Sequence, residues 1–424
     1  MSIQTRIAHR LPFFYGWVIV GIAVMVAPFF GSLTSWGLGV MVLPMEEELG
    51  WSRSMLFAPL AVGAVISAVL GILIGPWLDK KDGPIIVFAA GVAMFAASAM
   101  LIRYTDSLWS YFLAFGVVGG AGRYGVGVIF AIVPKWFVRN RGISQAMIGA
   151  GFSIGPLIFP VLLQWLVDSI GWRDAWLVIG FAMLASLTPL SLLVSRMPED
   201  IGLLPDGASP GDDIASRLTI TGRRQEPLRA ITRTEALRTS QLWLIIAAIA
   251  FATFAIRGMI PNLHPYFVSE GIPAKTAALS FSAYAVVAFF TVLFWGRLAD
   301  RVGARVPFII VIAIGVCAML VLAMTSNAGV MFLGMIVLAA GLNGFFNLWQ
   351  VVLADIFGRE HIGAIRGVVD AFNSSVIFIG PVAFGLMLDL SDSYTVLFIV
   401  AIALWVLSLV AAALIRPLKV EMAN

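Results

Sequence analysis

Apolar residues in this chain neither alternate with polar ones nor keep to one face of short helices. They come in unbroken runs of about twenty residues, separated by polar connectors. A bilayer core about 30 Å thick is crossed by roughly 20 apolar helical residues. Twelve runs reach that length, at 15–42, 55–78, 84–102, 108–134, 142–166, 174–195, 242–268, 276–298, 306–325, 329–356, 366–388 and 394–415. Each is expected to be a transmembrane helix, since a helix satisfies all of its own backbone groups in lipid. Nearly all connectors are short. The exception, 196–241, holds Pro198, Pro205, Pro210 and Pro227 among mixed charges and reads as a polar linker. The expected organisation is a six-helix bundle over 1–195, a cytoplasmic linker over 196–241 and a second six-helix bundle over 242–424.

Composition agrees. Of 424 residues, 60% are hydrophobic and 12% charged, against about 25% charged in a soluble domain. The chain is therefore read as an all-α integral membrane protein. The lone cysteine, Cys317, excludes an intramolecular disulfide framework or a CxxC metal site. His9, His264 and His361 are scattered, so no metal site and no cofactor are expected. Basic residues precede the first apolar run, but that run is long enough to span and has no clear cleavage site, so it is expected to be retained.

Charge placement sets the orientation. With the N-terminus inside, 21 of the 27 Lys and Arg residues fall on the cytoplasmic side and four, Arg53, Arg103, Arg173 and Lys275, in outer loops. Two remain within the membrane, Arg123 and Arg257. Topology thus accounts for the net charge of +4, and no nucleic-acid partner is implied. Both termini are expected to be cytoplasmic, in a multi-pass protein of the cytoplasmic (inner or plasma) membrane.

The halves repeat. GPWLDKKDGP begins at Gly75 and GRLADRVGAR at Gly296, an offset of 221 that Pro44 and Gly50 share with Pro265 and Gly271. RGISQAMIGAGFSIGP from Arg141 and RGVVDAFNSSVIFIGP from Arg366 align at an offset of 225. Parallel repeats of this kind are a transporter architecture, with the site at the midplane between halves.

These motifs resemble the major facilitator superfamily over essentially the whole chain. The signature G-x-x-x-D-[RK]-x-G-x-[RK] is carried by Gly296, Asp300, Arg301, Gly303 and Arg305; the first copy keeps Gly75, Asp79 and Lys80, with Gly83 one residue late. VPKWFVRNRGISQAMIGAGFSIGP followed by Gly171–Arg173 is similar to the monocarboxylate and oxalate–formate branch. The resemblance implies two pseudo-symmetric bundles of six helices.

Carboxylates are favoured near helix N-termini. Asp79 is therefore expected to meet the start of span eleven near Arg366, and Asp300, with Arg301 beside it, the start of span five near Arg141. Such contacts would bias the balance between outward- and inward-open states. The alternative is that these are ordinary topology charges.

The intramembrane arginines carry the functional reading. A charge at a helix centre is unfavourable by at least about 2.5 kcal/mol and usually faces a cavity or a partner. Arginine stays charged and matches a carboxylate bidentately. Arg123 and Arg257 are therefore candidate anion ligands, the alternative being a structural pair with Asp370. Asn343, Asn347 and Gln350 share one face of span ten. Trp36, with Ser32 and Ser35, lies on span one, Tyr284 on span eight, and Tyr124 and Asn373 beside Arg123 and near Asp370. Each could line the site or pack between helices. Proton coupling needs a titrating group, and Asp370 and His264 are the candidates.

The monocarboxylate branch typically carries an acid–arginine pair in span eight and a lysine in span one. Here span eight has no charge before Arg297 and span one has none. Arg257 and Arg123 are expected to serve the same chemistry from other helices.

The favoured reading is a secondary transporter of a small organic anion, a mono- or dicarboxylate, by proton symport or exchange against a counter-anion, working as a monomer in the lipid bilayer. A multidrug or apolar-solute exporter is the alternative, supported by 30 Phe and 13 Trp. A membrane enzyme or receptor is the third, but the sequence shows no nucleophile–base pair or phosphate loop.

Overall fold

The computed structural model describes residues 3–8, 10–33, 35–137, 140–207, 232–325, 327–357 and 362–416. All regular elements among the described residues are helical. Two compact units divide the chain, Met1–Trp51 with Met55–Gly222 and Ser52–Ser54 with Arg223–Asn424. Much of the expected linker, 208–231, lies outside the described residues.

The first unit holds α1 (Ile3–Ala8), α2 (Gly16–Ser32), α3 (Trp36–Leu49), α4 (Arg53–Ile74), α5 (Gly83–Ile102), α6 (Leu108–Tyr111), α7 (Gly119–Trp136) and α8 (Arg141–Ser191). Three features depart from one helix per apolar run. Span one is broken after Ser32 and resumes at Trp36, then continues to Leu49, beyond the expected end at 42. Gly50 closes it in the left-handed region at φ +64°, where its N–H reaches Glu46 O at 3.0 Å. Span four passes from α6 into a π-helical segment over Phe112–Val118, directly before the glycine-rich start of α7. Spans five and six meet at Gly171, whose φ of 79° and ψ of 162° interrupt α8. That conformation is open to glycine and unfavourable for other residues.

Close helix approach is built from glycine in this unit. A Cβ on Gly125 would stand 2.5 Å from Gly91 Cα and 2.6 Å from Val87 O. One on Gly120 would stand 2.5 Å from Gly63 Cα, and one on Gly122 2.5 Å from Phe95 Cα. α7 therefore lies with its backbone against α4 on one side and α5 on the other, as small residues permit in membrane helices.

The second unit holds α9 (Arg233–Leu237), α10 (Ser240–Ser269), α11 (Ala274–Val302), α12 (Arg305–Ala323), α13 (Ala328–Phe357), α14 (Ile362–Ser391) and α15 (Tyr394–Leu414). Thr239 caps α10, its Oγ1 accepting from the Leu242 N–H at 3.4 Å. α10 packs on α14 and α15, α11 on α13, and α12 on α13 and α15. The buried Trp405 fills the space left by the missing side chain of Gly315. Ser52–Ser54 belong to this unit through Arg53, which is buried with its guanidinium bonded to Tyr394 Oη and 3.5 Å from Asn262 Oδ1. The Arg53 and Ser54 amides donate to the Asp389 carboxylate, each at 3.1 Å. Charge counting had placed Arg53 among loop residues.

The two signature loops differ in the way the displaced glycine anticipates. In the first, Gly75–Asp79 forms a 3-10 turn, and a Cβ on Gly83 would overlap the Trp77 carbonyl. In the second, α11 runs to Val302 and ends at Gly303, in a left-handed φ of 83°. The later glycine serves close approach in one copy and a positive φ in the other.

Arg173, counted in sequence as a loop charge, clamps one end of the first unit. Its Nε donates to Glu48 Oε1 at 2.8 Å, its Nη2 to Asp106 Oδ1 at 2.9 Å, and its Nη1 to the carbonyls of Arg103 at 2.6 Å and Thr105 at 3.2 Å. The Trp172 indole donates to Glu48 Oε2 at 2.6 Å. Asp106 is 84% exposed, so that ion pair contributes little. The carbonyl bonds contribute more, because a charged donor holds them. Arg173→Ala is expected to lower the melting temperature of detergent-purified protein by several degrees, and Arg173→Lys to recover only part of it, since an ammonium lacks the fork. A melt of Arg173→Ala unchanged to within about one degree would contradict the clamp.

Candidate substrate site

In the first unit the site is built on α7. Arg123 is 8% exposed, although it carries a full charge within a membrane span. Its Nη2 is buried and has no hydrogen-bond partner among the described residues. That nitrogen occupies the place a Cβ on Gly63 would take, and Gly116 O borders the same spot, 3.0 Å from that position. Ser67 Oγ lies 2.8 Å from Gly63 O and 2.7 Å from Gly120 O, donating to one at a time and tying α4 to α7 beside the arginine. Tyr124 does not join this cluster. Its ring lies against Gly71, 3.5 Å from where a Cβ would stand. Gly71 is two turns of α4, about 12 Å, from Gly63.

Trp36 is buried at the first turn of α3, just past the break in span one. Ser35 Oγ donates back to Gly31 O at 2.6 Å, whereas the buried Ser32 Oγ has no partner among the described residues.

In the second unit the site centres on Arg257 of α10. The side chain is half-buried, and its Nε is buried without a hydrogen-bond partner among the described residues. The Cζ stands 5.8 Å from the centre of the Phe346 ring of α13, a cation–π contact. Tyr284 of α11 is buried nearby. Thr253, one turn earlier on α10, is fully buried with an unpartnered Oγ1. Sequence spacing could have singled out Thr253, four residues before Arg257. Phe346 carried no signal among 30 phenylalanines.

The alternative pairing of Arg257 with Asp370 is ruled out by position. A Cβ on Gly380 would stand 3.3 Å from Arg257 Cβ, which puts the arginine level with Gly380 on α14. Asp370 lies ten residues, about 15 Å, before it. The Asp370 carboxylate instead meets Arg366 of its own helix at 3.2 Å, with side chains 45% and 49% exposed. Asp370, a candidate for proton coupling, is therefore a half-exposed carboxylate paired within its own helix. Arg366 also covers the Trp349 ring at 5.6 Å.

His264 is buried at 1% exposure within α10, its Nε2 3.2 Å from the Ala274 carbonyl and its ring stacked on Phe281. These contacts join α10 to α11 and give the ring a packing role. On α13, the side-chain amides of Asn347 and Gln350 donate to Asn343 O at 2.8 Å and Phe346 O at 3.2 Å. Those donors are satisfied one turn back, within their own helix and not across a helix pair. The Asn373 Oδ1 is buried without a partner among the described residues. Arg301 is exposed, and the side chains of Asp79, Arg141 and Asp300 lie outside the described residues. No group of His, Cys, Asp and Glu among the described residues could hold a metal ion.

Arg123 and Arg257 thus each lie inside a span, with no carboxylate bonded to either among the described residues. The Major Facilitator Superfamily model matches residues 24–279 and 246–423. The chain belongs to this superfamily. Human monocarboxylate transporter 2 is 21% identical over 421 residues, covering 93% of this chain and 85% of that protein. The oxalate:formate antiporter of Oxalobacter formigenes is 24% identical over 324 residues, covering 75% and 72%. The same superfamily fold is seen in a bacterial homolog of the human lysosomal transporter Spinster, with a TM-score of 0.67 at 17% identity over 94% of this chain and 96% of that one. The chain is a multi-pass superfamily transporter related to monocarboxylate transporters and an oxalate:formate antiporter. Neither of its intramembrane arginines sits on span one or span eight.

Proposed function

We propose that the protein is a secondary active transporter that moves a small mono- or dicarboxylate across the cytoplasmic membrane by alternating access. One observation carries this reading. Arg123 Nη2 and Arg257 Nε are buried charged donors without a hydrogen-bond partner among the described residues. Burying an unpaired charge is strongly unfavourable, and a planar bidentate acceptor is the partner a guanidinium fits best. A carboxylate is the partner that would offset the charge of either buried guanidinium. The names of the relatives, a monocarboxylate transporter and an oxalate:formate antiporter, point to the same anion class. An apolar-solute exporter has no use for two such groups.

The test is uptake of labelled lactate and labelled oxalate into proteoliposomes, competed by a panel of unlabelled mono- and dicarboxylates. We expect saturable uptake that carboxylates inhibit and cationic drugs do not. Stimulation by an inward proton gradient assigns symport; stimulation by internal carboxylate assigns exchange. Drug uptake indifferent to every carboxylate would overturn the proposal.

A further inference from the structure

We propose that Gly63 is a positioning residue for Arg123, a socket in α4 that seats the guanidinium and fixes the edge it offers to an anion. The transport consequence rests on the reading that Arg123 binds carboxylate; the seating itself does not.

At Gly91, Gly120, Gly122 and Gly125, where α7 meets α4 and α5, the absent side chain makes room for backbone. Gly125 faces Gly91 Cα, and Gly120 faces Gly63 Cα. Gly63 differs. The space its Cβ would fill is taken by Arg123 Nη2, with Cζ of the same group 3.3 Å away. The occupant is a charged side chain that is 8% exposed, and the seated nitrogen makes no hydrogen bond to any described residue. Shape holds it there, and Ser67 Oγ lies between the Gly63 and Gly120 carbonyls at the helix contact, donating to one at a time.

The repeat argues that the helix itself does not require glycine at this register. At the offset of 221, the counterpart of Gly63 is Tyr284, a large side chain that is 3% exposed. Span ten carries no arginine, and the intramembrane arginine of the second unit comes from α10. Gly63 thus goes with the presence of Arg123.

A seated guanidinium has lost the freedom of a long side chain, so less ordering remains when a ligand binds. Gly63→Ala forces Nη2 out of the socket. The Gly116 carbonyl, 3.0 Å from the new methyl, must also yield slightly. That contact is independent of the arginine, so the two effects separate in a double-mutant cycle.

The experiment compares wild type, Gly63→Ala, Arg123→Gln and the double variant, by melting temperature in detergent and by KM for labelled lactate and oxalate in proteoliposomes. Gln at 123 is too short to reach the socket. We expect Gly63→Ala to lower the melting temperature and raise KM about ten-fold in the wild-type background. In the Arg123→Gln background the same substitution should change both far less. Equal losses in the two backgrounds, failure of both Gly63→Ala proteins to accumulate included, would show that Gly63 serves only helix packing and overturn the proposal. Accumulation restored in the double variant would support it. If Arg123→Gln leaves uptake intact, the anion reading of Arg123 fails, and the melting temperatures alone decide the seat.

Discussion

Proteoliposomes carrying Arg257→Gln are expected to take up labelled carboxylate about 100-fold less efficiently than wild type, measured as Vmax/KM. A charge-assisted hydrogen bond contributes about 1.5–3 kcal/mol, and a bidentate carboxylate makes two. Losing both removes about 3 kcal/mol, which is two powers of ten. Arg257→Lys keeps the charge without the fork and is expected to fall between. Folding should not suffer. Arg257 holds no described carboxylate that its removal would orphan, and its Nε is already without a described partner. Removing a charge that is unfavourable in the span by at least about 2.5 kcal/mol should leave stability equal or higher. Arg123→Gln is expected to behave alike. Uptake down with melting temperature held is the signature of a ligand-binding group. Full uptake, or loss of folded protein, would contradict the assignment.

The largest structural effect is expected at Gly125. A side chain there points at Gly91 Cα at 2.5 Å and Val87 O at 2.6 Å. Backbone cannot rotate away, so α5 and α7 must separate along their contact. Overpacking an ordinary core site is unfavourable by about 1–3 kcal/mol; Gly125→Leu should exceed that and leave no monodisperse protein on size exclusion. Gly21, on α2, has no atom within 4 Å of where its Cβ would stand. Gly21→Leu is the matched control and should elute as wild type does. Normal elution of Gly125→Leu would mean the two helices are not in backbone contact.

The helices were legible because hydrophobic length is a one-dimensional signal. Each of the twelve apolar runs is largely helical among the described residues, from the α2–α3 pair to α15. What lay hidden depends on conformation or on distant partners. The break after Ser32 follows no proline at that point; Pro28 lies inside α2. The π-helical turn over Phe112–Val118 is spelled in ordinary apolar residues. Arg173 and Glu48 are 125 positions apart, and Arg53 and Asp389 336, so charge counting could only file them as loop charges.

Sequence isolated Arg123 and Arg257 by elimination, because the expected topology assigns every other basic residue to a loop or a span end. It could not rank their neighbours. Tyr124 adjoins Arg123 in sequence yet faces Gly71, whereas Gly63, sixty positions away, touches the guanidinium. Asp370 is a candidate partner for the intramembrane arginines by sequence, but its own helix supplies Arg366 one turn away. Side-chain direction on a helix decides such pairings, and adjacency in sequence points neighbours to different faces.

The most direct measurement is equilibrium binding of labelled lactate and oxalate to purified protein, comparing wild type with Arg123→Gln/Arg257→Gln at matched melting temperature. The account predicts saturable binding to wild type that other carboxylates displace, and none to the folded double variant. Equal binding to both proteins, or none to wild type, would contradict it.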